Sequence, residues 1–305
     1  MNLTVPPLVA ILFFPGGLFL LFSGLMYEWI DRKLVARFQN RIGPRLIQPF
    51  ADLIKLLAKE EVVPQGVNAA LFILLPVIAM AGALTAALYI PMIGLQPSYS
   101  FQGDLIVTLY LLSLMTICSG LAGANTLDRF SLVGATRTLT QLFSYEAPFL
   151  LALLGPALAA SSWQINEINQ FAQNNPWMIL TQPIGFFVAL VGLMGKLELP
   201  PFDAPEAETE IVAGAMTEYS GRGYALFRLG RNIELVIGLG LVASFYLGGV
   251  NNPVDFLLKT LGMLVFLAAL QSLFARLRID QTVGLWWRVG ALLGLLQFLF
   301  LLVLR

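Results

Sequence analysis

The sequence has no histidine, one cysteine and little charge: Asp, Glu, Lys and Arg make up 12% of its 305 residues, about half of what a soluble globular chain carries. Without histidine the chain cannot build a His-ligated haem site, a His-based zinc site or an imidazole proton switch. The lone thiol, Cys118, excludes an intrachain disulfide and a cysteine-ligated cluster. Any redox cofactor of a working enzyme is therefore expected on other chains, with none bound here. No base precedes the first apolar run and no small-residue cleavage site follows a short hydrophobic core, so that run is expected to be a retained helix, not a cleaved signal.

Apolar residues are abundant. They make up 58% of the chain, and the mean hydropathy is +0.79. A bilayer core needs about 20 apolar residues per helix. Charge-free runs near that length predict an all-α integral membrane protein with about eight spans. The expected spans are 6–29, 68–93, 104–124, 139–160, 178–196, 232–250, 256–275 and 285–304, the last two completed by snorkelling arginines. On this alternation, sixteen of the eighteen lysines and arginines fall on one side, and Lys259 and Arg305 alone on the other. The bias predicts cytoplasmic charged loops and both termini outside, in the cytoplasmic membrane. With no internal repeat and no soluble segment, residues 1–305 read as a single membrane domain.

Two cytoplasmic connections, 31–67 and 197–231, are long. The first contains "LIQPFADLIKLLAKE", whose apolar residues recur at helical spacing between Asp52, Lys55 and Lys59, predicting an amphipathic helix in the interface. The second contains "PPFDAPEAETEIVAG", with Asp203, Glu206, Glu208 and Glu210 inside eight residues, followed by Glu218. Asp203 and Glu206 have the spacing of a capping box, with Pro205 suited to a first helical turn. Capping does not account for Glu208, Glu210 or Glu218. Glu146 in "SYEAP" stands alone well inside the fourth span, where a carboxylate is costly unless paired or protonated. Either a structural bond, for instance to Arg137, or a proton path explains it, and burial suits the second.

The first loop has the opposite sign. "DRKLVARFQNRIGPR" has five bases and one acid, and part of that charge fixes topology. Arg37 and Arg41, at i and i+4, share a face if the segment is helical, and from it they are expected to meet the carboxylates of the second loop or of a partner.

Taken together, "DRKLVARFQNRIGP", "QPFADLIKLLAKEEVVP", "SYEAP" and "PFDAPEAETEIVAGAMTEYSG" resemble, in that order and spacing, subunit 1 of respiratory complex I, the H subunit of bacterial NADH–quinone oxidoreductase. They also resemble its homologues in energy-converting membrane-bound nickel–iron hydrogenases and formate hydrogenlyase. The resemblance implies an eight-helix subunit joining a peripheral redox arm to the membrane arm. Its implied partners are hydrophilic iron–sulfur and large catalytic-type subunits, antiporter-like membrane subunits and the lipid bilayer, with no nucleic acid. Iron–sulfur clusters, and a nickel–iron centre or quinone, would be supplied by or shared with those partners. By position, Asp203, Glu206, Glu208, Glu210, Glu218 and Glu146 are implied proton-path acids. Asp31, Arg32, Lys33, Arg37, Arg41, Lys196 and Tyr219 are implied to face the redox subunits or line the chamber between the arms.

Two departures set the chain apart from quinone-reducing members. "RIGP" runs directly into "RLIQPF", where they carry a longer glycine-containing segment. "GKLELPPFD" places Lys196 and Leu199 where they carry a glutamate and an arginine. Both places lie by the implied quinone chamber, so the expectation is a non-catalytic subunit of the membrane-bound hydrogenase type. The quinone-reducing complex I subunit is the alternative, followed by a passive membrane anchor and a stand-alone secondary transporter. Repeats and broken spans of the kind a transporter would show are missing from the sequence.

Overall fold

The computed structural model describes residues 7–304. In chain order its helices are α1 (Pro7–Leu12), α2 (Gly17–Phe38), α3 (Gln48–Ala58), α4 (Ala69–Ala86), α5 (Asp104–Asn125), α6 (Arg129–Ala160), α7 (Ile165–Asn174), α8 (Met178–Thr181), α9 (Pro183–Lys196), α10 (Glu208–Ile211), α11 (Gly221–Tyr246), α12 (Pro253–Leu273), α13 (Ile279–Leu285) and α14 (Ala291–Leu304). Among the described residues, six stretches are long and apolar enough to cross a membrane: 9–38, 69–89, 104–125, 129–160, 253–273 and 279–303. The other two expected spans correspond to α9, apolar but only 14 residues long, and to α11, which carries charge along its first half.

Helix ends follow local chemistry. Asn68 caps α4, its side-chain oxygen accepting from the amides of Ala70 and Leu71, and Asp128 caps α6 through Ser131 N at 2.8 Å. α6 begins ten residues before the expected boundary, because the helix continues beyond the apolar run through a polar turn in which Thr140 bonds back to Thr136 O at 2.7 Å. α2 likewise runs on to Phe38, past the expected end at residue 29. α7 is an amphipathic helix in the connection between α6 and α8, burying Ile165, Ile168, Asn169 and Ala172 on one stripe.

The core forms around α11. Every residue from 233 to 246 is buried, with α2, α4, α12 and α9 packed around it. α3 lies against α11 and α2 and leaves Ile47, Ile54 and Leu57 exposed, the apolar face expected of an interfacial helix. Between α13 and α14 the chain makes a π-helical turn, Trp286–Gly290. It turns Trp286 inward, its ring centroid 5.3 Å from that of Phe202.

Candidate functional site

The connection between α9 and α11 is seated by close approach. Gly123 of α5 and Gly134 of α6 stand where a Cβ would run into the backbone or side chain of Gly214 and Ala215, so the turn Gly214–Met216 rests directly on those two helices. Gln141 of α6 fixes the upstream part, donating to Gly195 O at 2.9 Å and to Phe202 O at 2.8 Å. Tyr219 anchors the downstream part. It is buried, stacks on Phe72 of α4 with centroids 4.1 Å apart, and donates to Phe72 O at 3.3 Å.

On this seat the acids meet arginines from other segments. Arg276, after α12, grips Asp203 with two bonds, 2.9 and 2.8 Å. Arg231 of α11 binds Glu206, and Arg137 of α6 binds Glu210 at 2.8 Å. The capping-box expectation is therefore corrected. α10 begins at Glu208 with Ala207 at its N-cap, beyond Asp203 and Glu206, whose carboxylates are committed to guanidinium groups. Arg137 is likewise the partner of Glu210 and not of Glu146. Glu208 is exposed and Glu218 half-buried. A cavity of about 530 Å³ opens beside these pairs, lined by Arg137, Glu210, Arg276, Arg278 and Asp280 among others.

Beneath this layer the charges go inward. Arg231 Nη2 donates to Glu198 Oε2 at 2.9 Å. Glu198 is buried, has φ +53°, and leaves its other oxygen without a hydrogen bond. Burial pushes the Glu198 carboxyl up to about 7, while Arg231 pulls it down and Glu206 adds to the rise. One turn along α11 from Arg231, Glu234 lies 3.8 Å from the ammonium of Lys196 at the end of α9, and both side chains are almost wholly buried. Lys196 also feels the charge of Glu146 on α6. Glu146 in turn lies 2.8 Å from Ser113 Oγ of α5.

The first connection docks differently from the expectation. α2 ends at Phe38 and Asn40 turns the chain with φ +57°, so Arg41 lies beyond the helix and shares no helical face with Arg37. The contact between the two long connections has reversed polarity. Glu28 of α2 receives Arg228 of α11 at 2.5 Å and Asn232 at 2.6 Å. Asp52 of α3 lies 3.5 Å from both Arg228 and Arg32. Asp31 accepts from Gln271 of α12 at 3.1 Å, and Lys33 packs along the turn at Gly43. The crevice left between α2, α3 and α11, lined by Glu28, Arg228 and Asn232 among others, has a volume of only about 10 Å³.

The structure thus brings Glu146 and Lys196 near two acids absent from the sequence expectations, Glu198 and Glu234, and pairs a third, Glu28, separately with Arg228. All three sit at the ends of apolar runs, where charge reads as flank. The signal available was the i, i+3, i+6 series Arg228, Arg231, Glu234, which puts three charges on neighbouring positions of one helix.

A family model described as NADH dehydrogenase matches residues 9–302. The H subunit of the NADH-quinone oxidoreductase of Dehalococcoides mccartyi (strain CBDB1) is 35% identical, covering 88% of this chain and 79% of the relative. Its namesake in Thermomicrobium roseum is also 35% identical, covering 90% and 89%. The second of the NADH-quinone oxidoreductase H subunits of Geobacter sulfurreducens is 36% identical, covering 88% of each. Among solved structures, a chain of the membrane-bound sulfane sulfur reductase, an archaeal respiratory membrane complex, superposes with a TM-score of 0.86 over 93% of this chain and 96% of that one. At 24% identity this likeness speaks for the fold alone.

Proposed function

The chain belongs to the NADH dehydrogenase subunit 1 family and is a multi-pass membrane subunit of a complex I-like oxidoreductase, and from that premise we propose that it carries ions between the redox chemistry of partner subunits and the membrane arm. The observation that carries this reading is the placing of charged groups from the loop surface into the bundle: Glu206 and Glu198 on Arg231, then the Glu234–Lys196 pair one turn further along α11, with Glu146 near enough for Lys196 to feel its charge. Asp203, Glu208, Glu210 and Glu218 form its cytoplasmic mouth. A change of charge on a cluster beneath the second connection shifts the proton affinity of the nearest carboxyls, and each passes the shift inward.

In this reading the chain is one membrane domain of the cytoplasmic membrane, with both termini outside. Hydrophilic iron–sulfur and large subunits dock on the charged connections, and antiporter-like subunits dock in the membrane. The clusters, and any nickel–iron centre, belong to those partners, and Asp31, Arg32, Lys33, Arg37 and Arg41 border them. In the intact complex, Glu146→Gln is expected to abolish ion translocation while leaving electron transfer in detergent near its original rate. Unchanged translocation would leave the chain a passive anchor.

We assign the complex to the hydrogenase type. The resemblance puts the quinone chamber between the two long connections, and there the Glu28–Arg228–Asn232 bonds leave a crevice of about 10 Å³, enough for about one water. The quinone-reducing reading draws support from the named activity of the relatives in Thermomicrobium and Geobacter. Inhibition of the purified complex by a quinone-site inhibitor would favour the quinone reading, and hydrogen evolution from a reduced low-potential donor would favour the hydrogenase reading.

A further inference from the structure

The last apolar stretch holds one cation that the chain does not satisfy. Residues 279–303 are the least buried of the six stretches long enough to span. Arg288, inside them, is exposed and has no hydrogen bond or ion pair among the described residues. Its depth follows from how α14 lies along α6. A Cβ on Gly290 would stand 3.2 Å from Pro148, one on Gly294 3.0 Å from Leu151, and one on Gly155 2.4 Å from Gln297. The two helices therefore run parallel and in step, which puts Arg288 level with Glu146. From Arg288 to Leu304, the end of α14, the rise is about 24 Å, within the ~30 Å of a hydrocarbon core. A guanidinium at that depth is costly without an anion, and charged side chains inside a membrane almost always face protein. An arginine on an uncovered face therefore marks a face that is covered in the assembly.

One turn beyond Arg288 the same face continues as Leu292, Leu296, Leu299 and Val303, each more than half exposed. Their alternating steps of four and three make a heptad seam, the pattern by which one helix packs along another at a small crossing angle. Lipid tails require no such register. We propose that this seam, with Arg288 at its head, receives a transmembrane helix of another membrane subunit, one that presents an aspartate or glutamate to the guanidinium. In a water-free contact the planar guanidinium suits a carboxylate, which it grips with two parallel bonds. A second copy of this chain does not fit. Two copies in one membrane keep the same depth, so a symmetric pairing through this seam would set Arg288 against Arg288. The inference rests on the chain's place in a membrane complex and not on the ion path, and its test needs no turnover.

The photo-crosslinking residue p-benzoylphenylalanine is placed at Leu292 or at Leu299 in the intact complex, which is irradiated in its native membrane, and the adducts are identified by mass spectrometry. Both positions should join to one and the same transmembrane segment of a partner subunit, and that segment should contain an aspartate or glutamate. Adducts to lipid alone would assign Arg288 to a lipid phosphate and overturn the proposal, as would a partner segment without an acid. Arg288→Glu should lower recovery of the crosslinked subunit about tenfold or more when the complex is purified in detergent through a tag on this chain, because it sets two like charges together. Arg288→Lys should keep most of it. Equal recovery with Arg288→Glu overturns the ion pair. Should Arg288→Glu prevent insertion, the crosslinks, made with Arg288 in place, decide. If the crosslinks behave as expected while Glu146→Gln leaves translocation intact, the interface stands and the ion-path reading falls.

Discussion

Asp104, at the end of the bundle far from the charged connections, is as deeply buried as Glu198 and Glu234, but the chain treats it differently. Its two oxygens accept from Ile165 N at 2.7 Å, Ser100 Oγ at 3.0 Å and Phe101 N at 3.4 Å. Both oxygens are served by fixed neutral donors, two of them backbone amides, and the result is a clasp between the starts of α5 and α7. Glu198 and Glu234 are served by cations on long side chains: Glu198 leaves Oε1 without a hydrogen bond, and Glu234 faces the Lys196 ammonium with Oε1 at 3.8 Å, beyond hydrogen-bond reach. A carboxylate satisfied by fixed dipoles has no reason to change its charge. One held by a movable cation, with an open oxygen, is built to gain and lose a proton.

Three substitutions probe that contrast, in decreasing order of effect. Arg231→Met strips Glu198 and Glu206 of their cation at once. Because it leaves a buried carboxylate uncompensated, it should cost about 3–5 kcal/mol, read as a fall in the thermal stability of the purified complex. Adding Glu198→Gln should recover much of the loss, which would show that the penalty lies in the stranded charge and not in the missing side chain. Asp104→Ala should cost less, about 1–3 kcal/mol, and leave ion translocation untouched. A translocation defect from Asp104→Ala would erase the distinction between the two ends.

The subtlest effect is a slope. The folded Glu198 carboxyl titrates near pH 7, above the ordinary carboxylate range, so the folded chain holds a proton that the unfolded chain has released. Stability conferred by that protonated form is greatest below the unfolded value and declines as the pH rises through 7. Glu198→Gln should flatten the decline, which is at most about 1.4 kcal/mol per pH unit. Denaturation of the complex at a series of pH values measures it.

Hydropathy and charge made much of the architecture legible. The run expected at 104–124 is Asp104–Asn125, and the amphipathic segment of the first connection is Gln48–Ala58. Apolar run length marks where lipid begins and not where a helix ends, so it does not show the polar extensions of α2 and α6. Composition gave the right connections for the charges but the wrong pairings. It sets the first connection's arginines against the second's acids, whereas Arg137 arrives from α6, Arg276 from beyond α12, and Arg231 from the far end of the second connection itself, in α11. Those contacts span 25 to 73 positions in the chain, a separation that local periodicity does not reach. The family motif marks Lys196, but nothing in the sequence marks its partner Glu234, because the pairing exists only once α9 and α11 are side by side.

The π-helical turn at Trp286–Gly290 governs the rotational phase of the chain's last helix. One extra residue in a helical turn advances everything beyond it by about 100°. With that advance Trp286 points at Phe202 under the acidic connection, and Gln297 meets Gln182 at the foot of α9 at 3.2 Å. Removing one residue from Trp286–Gly290 would let the helix run through regularly. Only one of those two contacts could then survive, so the turn keeps the two halves of this helix in register with different neighbours.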